Sequence, residues 1–216
     1  MSLFRLVTLG DSCVSVRFAA TIDPVVNARC IALAASLESL ALRGVRDVVP
    51  SYNAVTVHFD PLAVDGEALS LELGRLAGAP PQSLAAEPRT IEIPVSYGGA
   101  SGLDLGAVAE FAACSEAEVV QLHMQPRYRV YMLGFLPGFA YMGAVDRRIA
   151  MPRLNTPRTR VPGGSVGIAA AQTGIYPCDT PGGWRIIGRT SVKLFDATRR
   201  DPFLLKAGDH VKFVSE

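Results

Sequence analysis

The sequence predicts two joined domains: an α+β domain over residues 1–79, with a small antiparallel sheet and helices, and a mainly-β barrel over residues 90–216. Three observations predict it. With 216 residues, 49% hydrophobic and 19% charged, the chain can fill packed cores and is too apolar for disorder. Glycine is unevenly spread, with five in residues 1–89 and fifteen in residues 90–216. Between these regions Pro80, Pro81 and Pro88 punctuate a stretch of small residues without apolar period, which reads as a linker at residues 80–89.

In the first domain Phe4 to Thr8 and Cys13 to Phe18 read as strands joined by Gly10-Asp11-Ser12, which is turn chemistry. Asp23-Pro24 pairs an N-cap residue with a proline suited to the first helical position. Val26, Cys30, Leu33, Leu37 and Leu40 then recur at helical spacing, so a helix is expected to about Leu42, ended by Gly44. Val45 to Val49 and Ala54 to Phe59 are two more strands, and Gly66 to Leu76 a second helix.

The second domain opens on Thr90 to Val95, edge-like because of Pro94. Leu105 to Ala113 is helical, and Ser115-Glu116-Ala117-Glu118 is a capping box that starts another helix, stopped by Pro126. Strands follow at Tyr128 to Met132, Val166 to Ala170, Trp184 to Ile187, Val192 to Phe195 and His210 to Val214. Ten glycines lie from Gly134 to Gly188, and short strands punctuated by Gly and Pro indicate a closed or nearly closed barrel.

Composition excludes several functions. Lys+Arg is 21 against Asp+Glu 20, so the basic excess of a general nucleic-acid or membrane-surface binder is missing. No apolar run approaches the ~20 residues that span a bilayer, and Met1 to Arg5 lacks the charged-then-apolar order of a signal peptide, so a cytoplasmic protein is expected. Cys13, Cys30, Cys114 and Cys178 are scattered, without CxxC or a neighbouring His, and read as small core residues in a reducing compartment, with no metal site. A phosphate loop is absent too, because Lys193, Lys206 and Lys212 follow no GxxxxG and GxGxxG does not occur.

His58 alternates with the apolar residues of its strand, and His210 follows a Gly208-Asp209 turn, so both read as structural. His123 ends a helix, where a charged imidazole would meet the dipole favourably; it is also a candidate proton carrier. Five arginines (Arg147, Arg148, Arg153, Arg158 and Arg160) precede Cys178 with no acid among them. They read either as an anion site or as a solvated loop. In Gly134 to Gly143, in Gln172 to Pro177 and in Pro181 to Trp184, glycines stand beside aromatics. That pattern suits a small-molecule pocket, a partner interface or a tight barrel corner.

Three long motifs carry a resemblance. Tyr128-Arg129-Val130-Tyr131-Met132-Leu133-Gly134-Phe135-Leu136-Pro137-Gly138-Phe139-Ala140-Tyr141 resembles the signature of the 5-oxoprolinase B-subunit family, also named allophanate hydrolase subunit 1 or the KipI-type sensor-kinase inhibitors. The run from Asn155 through Val161-Pro162-Gly163-Gly164-Ser165 to Tyr176-Pro177, and Pro181-Gly182-Gly183-Trp184 through Thr190, resemble it as well. Where the family often has Ala-Gly-Ser this chain has Gly163-Gly164-Ser165, and where it often has two glycines this chain has Ala170-Ala171.

The resemblance implies a cyclophilin-like second domain, similar to one half of the carboxyltransferase domain of urea carboxylase. It implies a subunit of an ATP-dependent 5-oxoprolinase that opens the lactam to L-glutamate after phosphorylation of its oxygen. ATP, with Mg2+, then belongs to the complex, and the isolated chain is expected to be inactive. The implied partners are a protein resembling the C subunit of 5-oxoprolinase (allophanate hydrolase subunit 2) and one of the A-subunit type. In that setting Arg158, Gln172 and His123 are the catalytic candidates. Arg160, Gly174, Phe135, Pro137, Gly138, Tyr141, Tyr176 and Trp184 are the substrate-binding candidates. The resemblance also leaves open an inhibitor of a sensor histidine kinase, without chemistry, or a subunit of a urea or allophanate pathway enzyme. The barrel resemblance alone does not make the chain a prolyl isomerase.

Overall fold

Strand alternation and helix caps set the first elements, and the computed structural model describes residues 3–79 and 88–216. The expected linker therefore falls mostly outside the described residues. By its internal contacts the chain divides into two units, Met1–Glu87 and Pro88–Glu216.

In the first unit β1 (Arg5–Thr8), β2 (Cys13–Arg17), β3 (Val45–Pro50) and β4 (Ala54–Phe59) form one antiparallel sheet in the order β1-β2-β4-β3. Helix α1 (Pro24–Leu40) packs on β3 and β4, and α2 (Gly66–Gly78) on β2. Alternation decides the buried face: Val14, Val16, Val55 and Val57 meet Cys30, Leu33, Leu37 and Leu73. Asp23 caps α1 by accepting the Val25 and Val26 N–H groups at 2.8 and 3.0 Å. The helix ends earlier than the sequence predicts, because Ala41 takes the left-handed conformation (φ 44°) and its N–H turns back to Glu38. Gly44 instead serves the turn into β3, where a Cβ would lie 2.3 Å from Val64.

The second unit is the predicted barrel, and it is closed. Its strands are β5 (Thr90–Tyr97), β6 (Tyr128–Leu133), β7 (Ala140–Gly143), β9 (Ser165–Ala169), β10 (Gln172–Ile175), β12 (Arg185–Arg189) and β13 (His210–Ser215), in the order β10-β7-β6-β13-β5-β12-β9. Its first and last strands close it side by side, β13 running parallel to β5 from His210↔Thr90 to Ser215↔Val95. Every second residue points inward, so Ile93, Val95, Val130, Met142, Ile168 and Phe213 fill the interior. Helices α3 (Leu105–Ala112) and α4 (Glu116–Met124) pack on β12 and β13, and Ser115 caps α4 through the Glu118 N–H at 3.2 Å. A separate ribbon pairs β8 (Arg158–Val161) with β11 (Thr180–Gly182).

Residues 192–195 are not the strand the sequence predicts. Leu194 is drawn into the core, and the chain folds back through one bridge between Phe195 and Phe203. All four cysteines are free; Cys13 and Cys30 are buried as expected, whereas Cys178 is exposed between β10 and β11. Among the described residues no helix is long and apolar enough to cross a membrane.

Candidate functional site

The inner face of the barrel holds His123. It is 0% exposed, stacked on Phe213 at 4.6 Å between ring centroids, and burial pushes its pKa down to about 3. Its Nδ1 lies 2.8 Å from the Tyr97 hydroxyl and its Nε2 2.9 Å from Thr173 Oγ1. Thr173 Oγ1 donates its own hydrogen to Gly167 O at 3.0 Å, so it accepts from Nε2–H. Nδ1 then accepts from Tyr97. Both nitrogens of a neutral ring are committed inside the core. This corrects two expectations: His123 carries no charge for the helix dipole, and no free nitrogen with which to carry a proton.

The outer face holds the aromatic residues that the sequence singles out. Phe139 is the hub, with Tyr141 at 4.8 Å, Tyr176 at 5.3 Å, Trp184 at 5.4 Å and Phe135 at 5.6 Å, all edge-on. All of these rings except the exposed Phe135 form a small core of their own with Val161 and Ile186. Tyr176 is 2% exposed, and burial raises its hydroxyl pKa, with a backbone hydrogen bond from Trp184 opposing the rise.

The glycines serve this packing. A Cβ on Gly174 would lie 3.0 Å from Ala140 O and from Trp184, and one on Gly182 2.5 Å from the Tyr176 hydroxyl. Gly138 has φ 86°, and its Cβ would strike Phe195 at 2.8 Å. The barrel-corner reading thus holds at Gly138 and Gly174. Both glycines are buried in this packing. Phe135 and Pro137 stand exposed at the β6–β7 tip, and Phe135 is held at φ 67°.

Arginines lie beside the aromatic cluster. Arg158 makes a bidentate pair with Asp104, Nη1 to Oδ2 at 2.9 Å and Nη2 to Oδ1 at 2.8 Å. Asp104 is 5% exposed and also accepts the Ile186 N–H at 2.7 Å. It therefore ties β8, β12 and the start of α3 together. Arg160 is exposed and pairs with Asp179 at 2.6 Å. The Gly163 N–H and Arg160 hold the Asp179 carboxyl below the usual carboxylate range. Arg148 pairs with Asp146 and Glu118. Three of the five arginines of the run, Arg148, Arg158 and Arg160, thus pair with carboxylates that lie outside the run in the same chain.

A cleft of about 40 Å³ opens among Arg158, Arg160, Arg189, Ser165, Ser101 and Ile186. Gln172 is not part of it. It starts β10, opposite Gly143 and Ala169, about 13 Å along the strand from Tyr176. Asp104, Ser165, Arg189 and the hub Phe139 were not candidates from sequence. An Asp just before a helix reads as an N-cap, and nothing local signals that Asp104 reaches Arg158 instead. Among the described residues no group of three His, Cys, Asp or Glu side chains could hold a metal ion.

A closed β-barrel preceded by a small α+β unit, with an aromatic and arginine-lined outer wall, defines the class. The chain belongs to the carboxyltransferase domain family, subdomains C and D, whose model it matches over residues 4–205. It is 39% identical over 221 residues to the 5-oxoprolinase B subunit of Bacillus subtilis (strain 168), covering 98% of this chain and 92% of the relative. It is 47% identical over 173 residues to the 5-oxoprolinase B subunit of Escherichia coli O157:H7, covering 79% and 78%. The crystal structure of TTHA0988 superposes with a TM-score of 0.85 at 39% identity, covering 94% of this chain and 40% of that one. This chain therefore spans two fifths of that longer one. The Kluyveromyces lactis urea carboxylase superposes with a TM-score of 0.81 at 19% identity over 99% of this chain and 22% of that one, a likeness of fold alone.

Proposed function

We propose that the chain is one component of an ATP-dependent 5-oxoprolinase that hydrolyses 5-oxoproline to L-glutamate, inactive alone and working with partners of the A and C types. The observation that carries this reading is the 39% identity, over 98% of the chain, to a protein called the B subunit of 5-oxoprolinase. The geometry supports it in two ways. The outer wall offers fixed guanidinium groups for anionic charge, Arg158 held by Asp104 and Arg160 at the rim. Tyr141 and Trp184, both half-buried, and the exposed Phe135 give an apolar margin beside them.

ATP would supply the phosphoryl group that makes a poor lactam electrophile open to water. The arginine cleft, at about 40 Å³, does not fit a whole nucleotide, and the sequence has no lysine-bearing phosphate loop. The reading therefore assigns ATP and Mg2+ to the assembled complex. Gln172 stays outside the proposed site, and His123 takes no part in the proton transfers.

The test is 5-oxoproline-dependent ADP release by this chain with and without its sister subunits. Release from the full set only supports the reading; a well-folded full set that releases none sinks it. One observation favours a second reading, a binding protein for a sensor histidine kinase: Phe135 is 60% exposed at the strained β6–β7 tip. That reading requires the chain to slow kinase autophosphorylation and Phe135→Ala to abolish the effect.

A further inference from the structure

We propose that the cleft between β8, β12 and the loop over residues 98–104 is an oxyanion site, taking one carboxylate or phosphoryl group on Arg158, Arg189 and the Ser165 hydroxyl. Only the identity of the anion rests on the oxoprolinase reading; the site itself rests on four observations.

Ser165 lines the cleft and is 2% exposed, yet its hydroxyl has no hydrogen-bond partner among the described residues. No fully buried side-chain polar atom lacks a partner among those residues, so the Ser165 hydroxyl keeps a small exposure of its own, and Ser165 lines the cleft. Native structures rarely leave so enclosed a donor unused, so this hydroxyl points to a group that arrives from outside. Arg189 also lines the cleft, and among the described residues its guanidinium makes one hydrogen bond, Nε to Gly163 O at 3.0 Å. Its terminal N–H groups are free for a bidentate acceptor.

Charge gives the third observation. Arg158, Arg160 and Arg189 meet only Asp104 and Asp179, which leaves one positive charge for a monovalent oxyanion. Asp179 lies at the rim on Arg160, which is 77% exposed, so solvent weakens that pair. Size is the fourth: about 40 Å³ admits one small group and excludes a nucleoside. Asp104 is a positioning residue here. It occupies Nη1 and Nη2 of Arg158 from one side and so fixes the direction of the remaining N–H groups.

The site is tested by NMR titration of the full chain with inorganic phosphate, L-5-oxoproline and 2-pyrrolidinone, the same lactam without a carboxylate. Saturable shifts at Gly163 to Ser165 and Arg189 are expected with at least one anion and not with 2-pyrrolidinone. Phosphate alone identifies a phosphoryl site, 5-oxoproline alone a carboxylate site. Ser165→Ala and Arg189→Gln should each weaken binding about tenfold, as expected for loss of one charge-assisted hydrogen bond. Ser165→Ala should melt no lower than the wild type, because it removes an unpartnered hydroxyl, and so separates binding from folding. No saturable shift with either anion, or unchanged affinity in both variants, overturns the site. In the assembled complex, ADP release with a wild-type KM in both variants overturns the site and leaves the oxoprolinase reading standing. An inactive wild-type complex sinks that reading and leaves the titrations to decide the site.

Discussion

The two faces of the barrel wall treat their polar groups in opposite ways. On the inner face Tyr97, His123 and Thr173 form a chain in which each donor has its acceptor and the histidine is neutral. On the outer face Arg158 is half-satisfied by Asp104, Arg189 keeps free N–H groups and Ser165 has no partner among the described residues. Only the outer face leaves polar groups for a ligand. A fully bonded interior polar chain stabilises and specifies the fold but has nothing left for a substrate. Unfinished hydrogen bonding beside solvent is what a ligand can complete.

Breaking the inner chain should have the largest effect on stability. His123→Ala removes a stacked, fully buried ring and leaves the Tyr97 hydroxyl without its acceptor, so a loss of about 4 kcal/mol is expected in urea unfolding of the chain. Asp104→Ala acts across the wall: it strips a partly buried guanidinium of its partner and the Ile186 N–H of its acceptor. A loss of about 3 kcal/mol is expected by the same measurement.

Acid should sharpen the contrast. His123 is held near pKa 3 when folded, against 6.5 for the free side chain, so the unfolded chain binds the extra proton between these values. Stability is therefore complete above pH 6.5 and falls as the pH drops, by up to about 1.4 kcal/mol per unit. His210, also lowered by burial and by Arg129 and Arg127, adds a slope of the same sign. Urea midpoints from pH 7 to pH 5 check this, and His123→Phe should flatten most of the slope. The smallest effect is expected at the rim: Arg160→Ala breaks a solvent-screened pair and should leave the melting temperature at the wild-type value.

Much of the fold was legible in the sequence, and the reasons are local. The alternation of Cys13 to Arg17 and of Ala54 to Phe59, and the Asp23 and Ser115 caps, fix their elements without help from distant residues. Strands β7 and β10 were hidden because Gly143 and Gly174 weaken the local pattern, while Trp184 and Phe139 supply the packing from afar. Residues 192–195 mislead in the opposite way, since Leu194 is apolar to fill the core and not to alternate.

The site was less legible. The aromatic residues around Phe139 were visible as a group, but their packing on one another was not. The acid-free arginine run stops one residue short of two of the acids that pair with it, Asp146 before it and Asp179 after it. Asp104 pairs with Arg158 across 54 positions, a tertiary contact with no sequence period to betray it.

The outer arginine cleft is the site proposed for this chain's function. The direct measurement is turnover of 5-oxoproline-dependent ADP release by the full complex carrying Arg158→Ala, with folding and assembly checked by circular dichroism and gel filtration. A fall of about tenfold or more is predicted, because the fixed cation is lost where negative charge develops. Wild-type turnover in a folded, assembled Arg158→Ala complex would contradict the account.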